Sequence, residues 1–154
     1  MFNHILNIIP SAILFGANSR LFAGKIFSFH EPRIYLYDQS EQQNSGFPSI
    51  SKYLDSVEDY IDYIISREPV IAKDYFELEK ERHDDARIRL NSNFYQIETR
   101  VMSVQLTPKS LLSMIEYFIG YLYRAINDER QLRPLSVLRE ELITNKSRYK
   151  KLAK

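Results

Sequence analysis

The segment 91–105 places a carboxylate and a guanidinium in the middle of a run that otherwise favours a β-strand. Side chains along a strand alternate between its two faces, so Glu98 and Arg100 project together while Ile97 and Val101 project oppositely. Charged groups placed there cost desolvation energy unless they meet a partner, an ion or water. The polar face is therefore either a solvated ladder of salt bridges or the floor of a site for anions and metal.

A second strand-like segment, residues 85–90, precedes this one and predicts an antiparallel β-hairpin over about 85–104. A two-residue turn at Ser92–Asn93 would bring opposite charges together, which stabilises a hairpin by about 0.2–1 kcal/mol for each pair. A three-residue loop would mix polar and apolar sides. The predicted pairs are Arg87 with Glu98, Arg89 with Gln96, and Asp85 with Arg100.

Several segments predict helices that back this hairpin. Apolar residues recur at helical spacing in residues 2–15, Ser56 is a predicted N-cap, and Pro134 begins a last helix. Thr107-Pro108 begins a long helix, with threonine as N-cap. The apolar stripe of this helix is expected to pack on the sheet: Leu111, Leu112, Ile115, Phe118, Ile119, Leu122 and Ile126. The pattern predicts an α+β fold in which an antiparallel sheet packs against helices, with a further short β segment at 33–37.

The composition is that of a globular protein, and its 154 residues predict a single domain, 1–154. A net charge of +1 gives no argument for nucleic acid or a membrane as partner, and the basic tail 146–154 is expected to be solvated. The absence of cysteine removes disulfides and thiolate ligands and fits a cytoplasmic location. The apolar segments 1–15 and 111–126 are interpreted as core helices, so no targeting or transmembrane segment is predicted.

The sequence contains none of the short glycine-rich nucleotide motifs and no His-Glu-x-x-His zinc motif. His83 is followed by two acids, but a metal site there would need a further ligand, and the charge-dense run 74–83 is expected to be a solvated face. The hairpin is the better candidate. Arg87, Arg89 and Arg100 could hold phosphate oxygens, while Glu98 could ligate Mg²⁺. A purely structural salt ladder explains the same residue types equally well.

The segment 94–105 resembles a strand near the end of glutamate–cysteine ligases and related carboxylate–amine ligases. That strand typically reads Phe-Gly-Thr-hydrophobic-Glu-hydrophobic-Arg-hydrophobic, and Glu98 and Arg100 occupy its two charged places. Upstream, Ala17-Asn18-Ser19, Gly24 and Arg33 follow the order of the family's Ala-Asn-Ser-Pro segment, a glycine and an arginine. The matching positions span roughly residues 5–127. The departures are Arg20 in place of proline, Tyr95 in place of glycine and Ser103 in place of aspartate.

The resemblance implies an ATP-dependent ligase that forms a γ-glutamyl amide through an acyl phosphate. Its substrates would be glutamate, cysteine or another amine, and ATP with Mg²⁺. Glu98 would be a metal ligand and Arg100 a catalytic residue that contacts the transferring phosphoryl group. The residues expected to line the substrate or phosphate region are Asn18, Ser19, Arg33, Arg87 and Arg89.

The family's first strand, with its Glu-x-Glu metal ligands, has no counterpart in this sequence. We therefore expect the chain to be the C-terminal part of a ligase, an incomplete glutamine-synthetase-like catalytic domain that is inactive alone. A non-enzymatic alternative is a split or truncated product that binds a partner half, or itself, through an open sheet edge. A third possibility is an unrelated α+β binding module in which the hairpin charges form only a ladder.

Overall fold

The computed structural model describes residues 1–17, 21–22, 24–26, 45–90, 94–102, 105–127 and 131–142. The helices in these ranges are α1 (Phe2–Gly16), α2 (Val57–Ile65), α3 (Tyr75–Glu81), α4 (Pro108–Asn127) and α5 (135–142). The strands are β1 (Leu21–Phe22), β2 (Lys25–Ile26), β3 (Ser45–Gly46), β4 (His83–Asp84), β5 (Ala86–Leu90) and β6 (Tyr95–Thr99). The predicted fold class, α+β with an antiparallel hairpin packed against helices, is confirmed.

The hairpin β5–β6 has the predicted register. Arg87 lies opposite Glu98 and Arg89 lies opposite Gln96 in an antiparallel ladder. The backbone amide of Arg100 donates to the carbonyl of Asp85 at 3.0 Å, so the same register continues beyond the ladder. The predicted turn at 92–93 lies outside the described residues, as do the β segment at 33–37 and the tail 146–154.

Helix α1 forms the centre of the core. Leu6, Ile8 and Ile9 are fully buried, and the helix packs against strand β5 and against α4. The apolar face of the hairpin joins the same cluster through Ala86 and Ile88. Successive side chains of a strand point to opposite faces. Because the apolar face of the hairpin is buried in this core, the charged face is turned away from the core.

Asn7 links α1 to two distant segments at a point where the helix lacks a hydrogen bond. Pro10 has no amide hydrogen, so the helical bond to the carbonyl of Leu6, the residue before Asn7, is absent. The Asn7 side chain donates through Nδ2 to the Tyr53 hydroxyl at 2.7 Å and accepts through Oδ1 from the amide of Arg133 at 2.9 Å. The Asn7 carbonyl also accepts from Arg133 Nη2 at 2.8 Å. Asn7 therefore ties α1 to the segments that precede α2 and α5.

The predicted starts of α2 and α4 are confirmed. The Ser56 hydroxyl accepts from the Asp59 amide at 3.1 Å, and the Asp59 carboxylate accepts from the Ser56 amide at 3.1 Å, which forms a capping box. At α4, the Thr107 hydroxyl accepts from the Ser110 amide at 3.1 Å. Pro108 is the first helical residue, as its missing amide hydrogen and restricted φ favour.

The expectation that the apolar stripe of α4 packs on the sheet is wrong. Helix α4 packs against α1 because α1 already covers the apolar face of the hairpin. Met114 and Ala125 are the buried residues of α4, and Phe118 and Leu122 are partly buried. The other members of the stripe are exposed: Leu111, Leu112, Ile115, Ile119 and Ile126.

The expectation that residues 74–83 form a solvated face is only partly right. This segment contains α3, whose N-cap is Asp74, and Glu77 and Lys80 are exposed on it. Glu79 and Arg82 are buried, because the C-terminal end of α3 lies against the hairpin. Among the described helices, none is long and apolar enough to cross a membrane.

Replacing Asn7 with alanine should lower the free energy of unfolding by about 2–3 kcal/mol, because it leaves buried donors and acceptors without partners. Urea unfolding followed by circular dichroism measures the effect. The control is Asn127→Ala, since Asn127 is an exposed asparagine at the end of α4. A loss for N7A no larger than for N127A would show that the Asn7 network does not hold α1 in place.

Candidate anion-binding site

The charged face of the hairpin converges on the Glu98 carboxylate. Its Oε2 atom accepts from Arg87 Nε at 3.0 Å and from Arg87 Nη2 at 2.9 Å. Its Oε1 atom accepts from Arg100 Nε at 3.0 Å, and Arg89 Nη1 lies 3.8 Å from Oε2. This cluster of Arg87, Arg89, Glu98 and Arg100, called here the arginine cluster, follows from the strand register, which places all four side chains on one face.

Arg87 is the buried member of the arginine cluster, with 8% of its side chain exposed. Besides its contact with Glu98, its Nη1 atom donates to the carbonyls of Glu79 at 3.3 Å and Arg82 at 3.4 Å. These carbonyls lie at the C-terminal end of α3, where a cation interacts favourably with the helix dipole. Arg87 therefore joins the hairpin to α3.

Arg100 and Arg89 are the accessible members, with 27% and 53% of their side chains exposed. Arg100 Nη1 lies 2.8 Å from His83 Nδ1. Because a guanidinium can only donate hydrogen bonds, Nδ1 is the acceptor in this contact. Glu98 and His83 thus hold Arg100 from two sides, in an orientation that leaves part of it open to solvent.

Burial acts to raise the pKa of Glu98, but the hydrogen bonds and charges of Arg87 and Arg100 outweigh it and hold this pKa below its ordinary value. Glu98 is therefore ionised at neutral pH. Three guanidinium groups within 4 Å share this one carboxylate. The same register places Asp85 opposite Arg100, so this face carries three guanidinium groups and two acidic side chains. The excess of one positive group favours phosphate or carboxylate ligands over cations.

The described residues do not fit a magnesium site. They contain no group of three or more histidine, aspartate and glutamate side chains that could hold a metal ion. Both oxygens of Glu98 accept hydrogen bonds from arginine, and the surrounding guanidinium charge opposes a cation. Mg²⁺ binds through carboxylates, phosphates and several waters at octahedral geometry. The role of Glu98 as a metal ligand stays a prediction.

Within the described residues no metal-binding group forms around His83 either, and Asp84 serves a different network. Tyr63 donates through its hydroxyl to Asp84 Oδ2 at 2.7 Å, and Arg67 Nη1 lies 2.8 Å from Asp84 Oδ1. Asp84 is 1% exposed, so its charge is compensated inside the protein. Burial, together with the charge of Asp84, raises the pKa of Tyr63, which keeps its hydroxyl protonated as a donor.

This Tyr63–Arg67–Asp84 network was not predicted from the sequence. The one available signal was the spacing of Tyr63 and Arg67, which places residues four apart on one face of a helix and its extension. Their partner Asp84 lies 17 residues beyond Arg67, and no local pattern connects the two. The contact arises because β4 pairs in parallel with β3 and brings Asp84 beneath α2.

A second anion-binding arrangement is filled by the protein itself. Consecutive backbone amides converge on the Glu81 carboxylate: Val70 donates to Oε2 at 3.0 Å, Ile71 donates to Oε1 at 2.6 Å, and Ala72 also donates to Oε1. Such nests of amides favour anions. The hydrogen bond from Val70, aided by those from Ile71 and Ala72, lowers the pKa of Glu81. This nest organises the loop between α2 and α3.

Three of the predicted site residues, Asn18, Ser19 and Arg33, lie outside the described residues. The structure brings together the remaining predicted ones: Arg87, Arg89, Glu98 and Arg100. It adds His83 as a contact of Arg100.

A model of one protein family, glutamate-cysteine ligase family 2 (GCS2), matches residues 1–153. The chain belongs to this family. Comparison with curated proteins found no match, and comparison with solved structures found none either. Membership in glutamate-cysteine ligase family 2 confirms the resemblance inferred from the strand that contains Glu98 and Arg100. The chain is therefore similar to ATP-dependent ligases.

Glu98→Gln should lower the free energy of unfolding by about 1–3 kcal/mol at neutral pH, because Arg87 loses its charged partner while it remains buried. Thermal and urea unfolding measure this loss. Glu116→Gln is the matched control on the exposed side of α4, and we expect a change within about 0.5 kcal/mol. Equal stability of E98Q and the unmodified chain would remove the structural role of the cluster.

The same pair of proteins should show a dependence on pH. The pKa of Glu98 is lowered in the folded protein from 4.5, so its contribution is fully present above the unfolded pKa and is lost as pH falls through the folded pKa. We therefore expect the stability difference between the unmodified chain and E98Q to shrink as pH falls from 6 to below 4. A difference that stays constant over this range would show that the charge of Glu98 does not stabilise the fold.

Proposed function

We propose that this chain provides the phosphate-binding arginines of an ATP-dependent ligase that forms γ-glutamyl amides. In this reaction a side-chain carboxylate oxygen of glutamate attacks the γ-phosphorus of ATP, and ADP leaves. The amine of cysteine, or another amine, then attacks the acyl carbon, and phosphate leaves. Family membership supports the ligase class. The observation on which the proposal rests is that the guanidinium groups of Arg89 and Arg100, beside Glu98, are partly exposed.

Arg100 is the proposed contact to the transferring phosphoryl group. Its Nε atom is held by Glu98 and its Nη1 atom by His83, so the planar group is fixed before a ligand arrives. Fixed donors are effective in phosphoryl transfer, where catalysis depends on positioning and on neutralising charge on the equatorial oxygens. Arg89, the most exposed member, is proposed to bind a neighbouring phosphate or substrate carboxylate.

Arg87 is proposed to act as a positioning residue. It is buried and takes its contacts from Glu98 and the end of α3, so it orients Glu98, and Glu98 in turn orients Arg100. Asn18, Ser19 and Arg33 are proposed to line the substrate region on the strength of the family resemblance alone. Use of ATP with Mg²⁺ is proposed from family membership, and a role of Glu98 as a magnesium ligand would need further ligands from outside the described residues.

We further propose that the chain corresponds to the C-terminal portion of a longer ligase and works in the cytoplasm. The described residues contain no group of three or more carboxylate or histidine side chains that could hold a metal ion, whereas a hard cation such as Mg²⁺ takes about six oxygen ligands including waters. We therefore expect no ADP release from this chain when glutamate, cysteine and MgATP are supplied together. ADP release that requires both amino acids would contradict this expectation.

The second candidate function is non-enzymatic: a chain that completes, or is completed by, a separate partner half. Within the described residues each sheet has two strands, which leaves strand edges at which another chain could add a strand. In this reading the arginine cluster is a salt ladder. Binding of anions through Arg89 and Arg100 separates the two candidates.

Arg100→Gln and Arg89→Gln should each weaken the binding of inorganic pyrophosphate to this chain by about tenfold or more, because a charge-assisted hydrogen bond contributes about 1.5–3 kcal/mol. Isothermal titration calorimetry at low and moderate salt measures the dissociation constant. Binding to the unmodified chain should also weaken as salt increases.

Arg124→Gln is the matched control, since Arg124 is an exposed arginine on α4 away from the hairpin. It should leave pyrophosphate binding within about twofold of the unmodified chain. Failure of the unmodified chain to bind pyrophosphate, or equal weakening by R124Q, would refute the anion site and favour the salt ladder. Circular dichroism of each variant separates lost binding from lost folding.

A further inference from the structure

Helix α4 presents an apolar stripe to solvent on the side that does not pack against α1. The stripe consists of Leu112, Ile115, Ile119, Tyr123 and Ile126, which are 59%, 42%, 61%, 68% and 61% exposed. At 100° per residue these five side chains fall within one narrow arc of the helix. No charged residue lies within this arc. Contiguous exposed apolar surface of this kind marks a binding surface.

The spacing of the stripe is symmetric about its middle residue. Successive members are three, four, four and three residues apart, so the pattern reads the same in both directions from Ile119. If a second copy of α4 is laid antiparallel with a two-fold axis at Ile119, each apolar side chain meets an apolar side chain. The pairs are Leu112 with Ile126, Ile115 with Tyr123, and Ile119 with its own counterpart.

We propose that this stripe binds a second copy of the chain as an antiparallel, two-fold symmetric helix pair. A two-fold interface must be self-complementary, because the same surface of both copies takes part. If one residue contacts a second residue of the other copy, the second residue of its own copy contacts the first residue of the other. The palindromic spacing meets this condition. Antiparallel helices also place the positive end of each helix dipole beside the negative end of the other, which a parallel pair does not.

The size of the surface indicates a reversible dimer. From Leu112 to Ile126 the stripe is about 21 Å long, at about 1.5 Å for each residue. A seam of that length buries about 1,000 Å² in total, which is below the area of about 1,200–2,000 Å² in stable interfaces and is typical of weak, transient ones. We therefore expect dimerisation that depends on protein concentration. This inference does not depend on the ligase chemistry proposed above.

A charge-exchange experiment tests the two-fold axis. The I119K chain and the I119E chain should each be monomeric in sedimentation equilibrium, because like charges meet at the axis. An equimolar mixture of the two should dimerise, because opposite charges then meet. The control is Ile71→Lys, which changes an equally apolar, 80% exposed side chain outside α4 and should leave the dimer intact.

A cross-linking experiment tests the antiparallel register. The chain has no native cysteine, so an introduced cysteine can form a disulfide only with another introduced cysteine. Under mild oxidation the I119C chain should form a disulfide-linked dimer. The L112C chain should link to the I126C chain but not to itself, and I71C should not link. Self-linking of L112C would show a parallel pair and overturn the proposed arrangement.

An unmodified chain that stays monomeric at all concentrations overturns the proposal, including the case in which the stripe binds a different protein. Dimers that survive both I119K and I119E also overturn it, because they would form through another surface. Circular dichroism of the variants shows that α4 still folds. Ile119 is exposed and lysine favours helix, so we expect each variant to remain helical.

Discussion

The burial of α1 is the constraint on which the rest of this structure depends. Leu6, Ile8 and Ile9 are fully buried, and the helix has the hairpin on one side and α4 on another. Because α1 takes the apolar face of the hairpin, the charged face is left for the arginine cluster. Because one side of α4 packs on α1, the apolar stripe on its other side is directed to solvent. This stripe consists of Leu112, Ile115, Ile119, Tyr123 and Ile126. One buried helix thus determines where both candidate binding surfaces lie.

The sequence predicted the hairpin well because strand alternation is a local rule. Once Arg87 was matched with Glu98, every other pair in the ladder followed. The packing of α4 could not be predicted in the same way, because helical periodicity identifies an apolar stripe but not the surface that covers it. The Asp84 network was missed for a related reason: Asp84 is distant in sequence from Tyr63 and Arg67, and a short parallel strand pair brings it to them.

The three arginines of the cluster differ mainly in burial, and this difference separates structure from chemistry. Arg87, which the hairpin and α3 enclose, resembles a buried member of an ion pair whose loss would destabilise the fold. Arg100 and Arg89 are progressively more exposed, so a ligand can reach them. Residue type alone does not show this difference in burial. The difference decides which substitutions report on binding and which report on stability.

The electrostatic balance of the cluster follows from how Arg87 is satisfied. Carbonyl oxygens of Glu79 and Arg82 complete its hydrogen bonds, and these atoms carry no formal charge. Arg82 in turn donates to the carbonyls of Arg67 and Glu68, so a second buried cation is also held by backbone oxygens. Glu98 is therefore shared among guanidinium groups that outnumber it. With Asp85 opposite Arg100 on the same face, the remaining excess is one positive group. A purely structural ladder does not need this excess, whereas a bound phosphate would neutralise it.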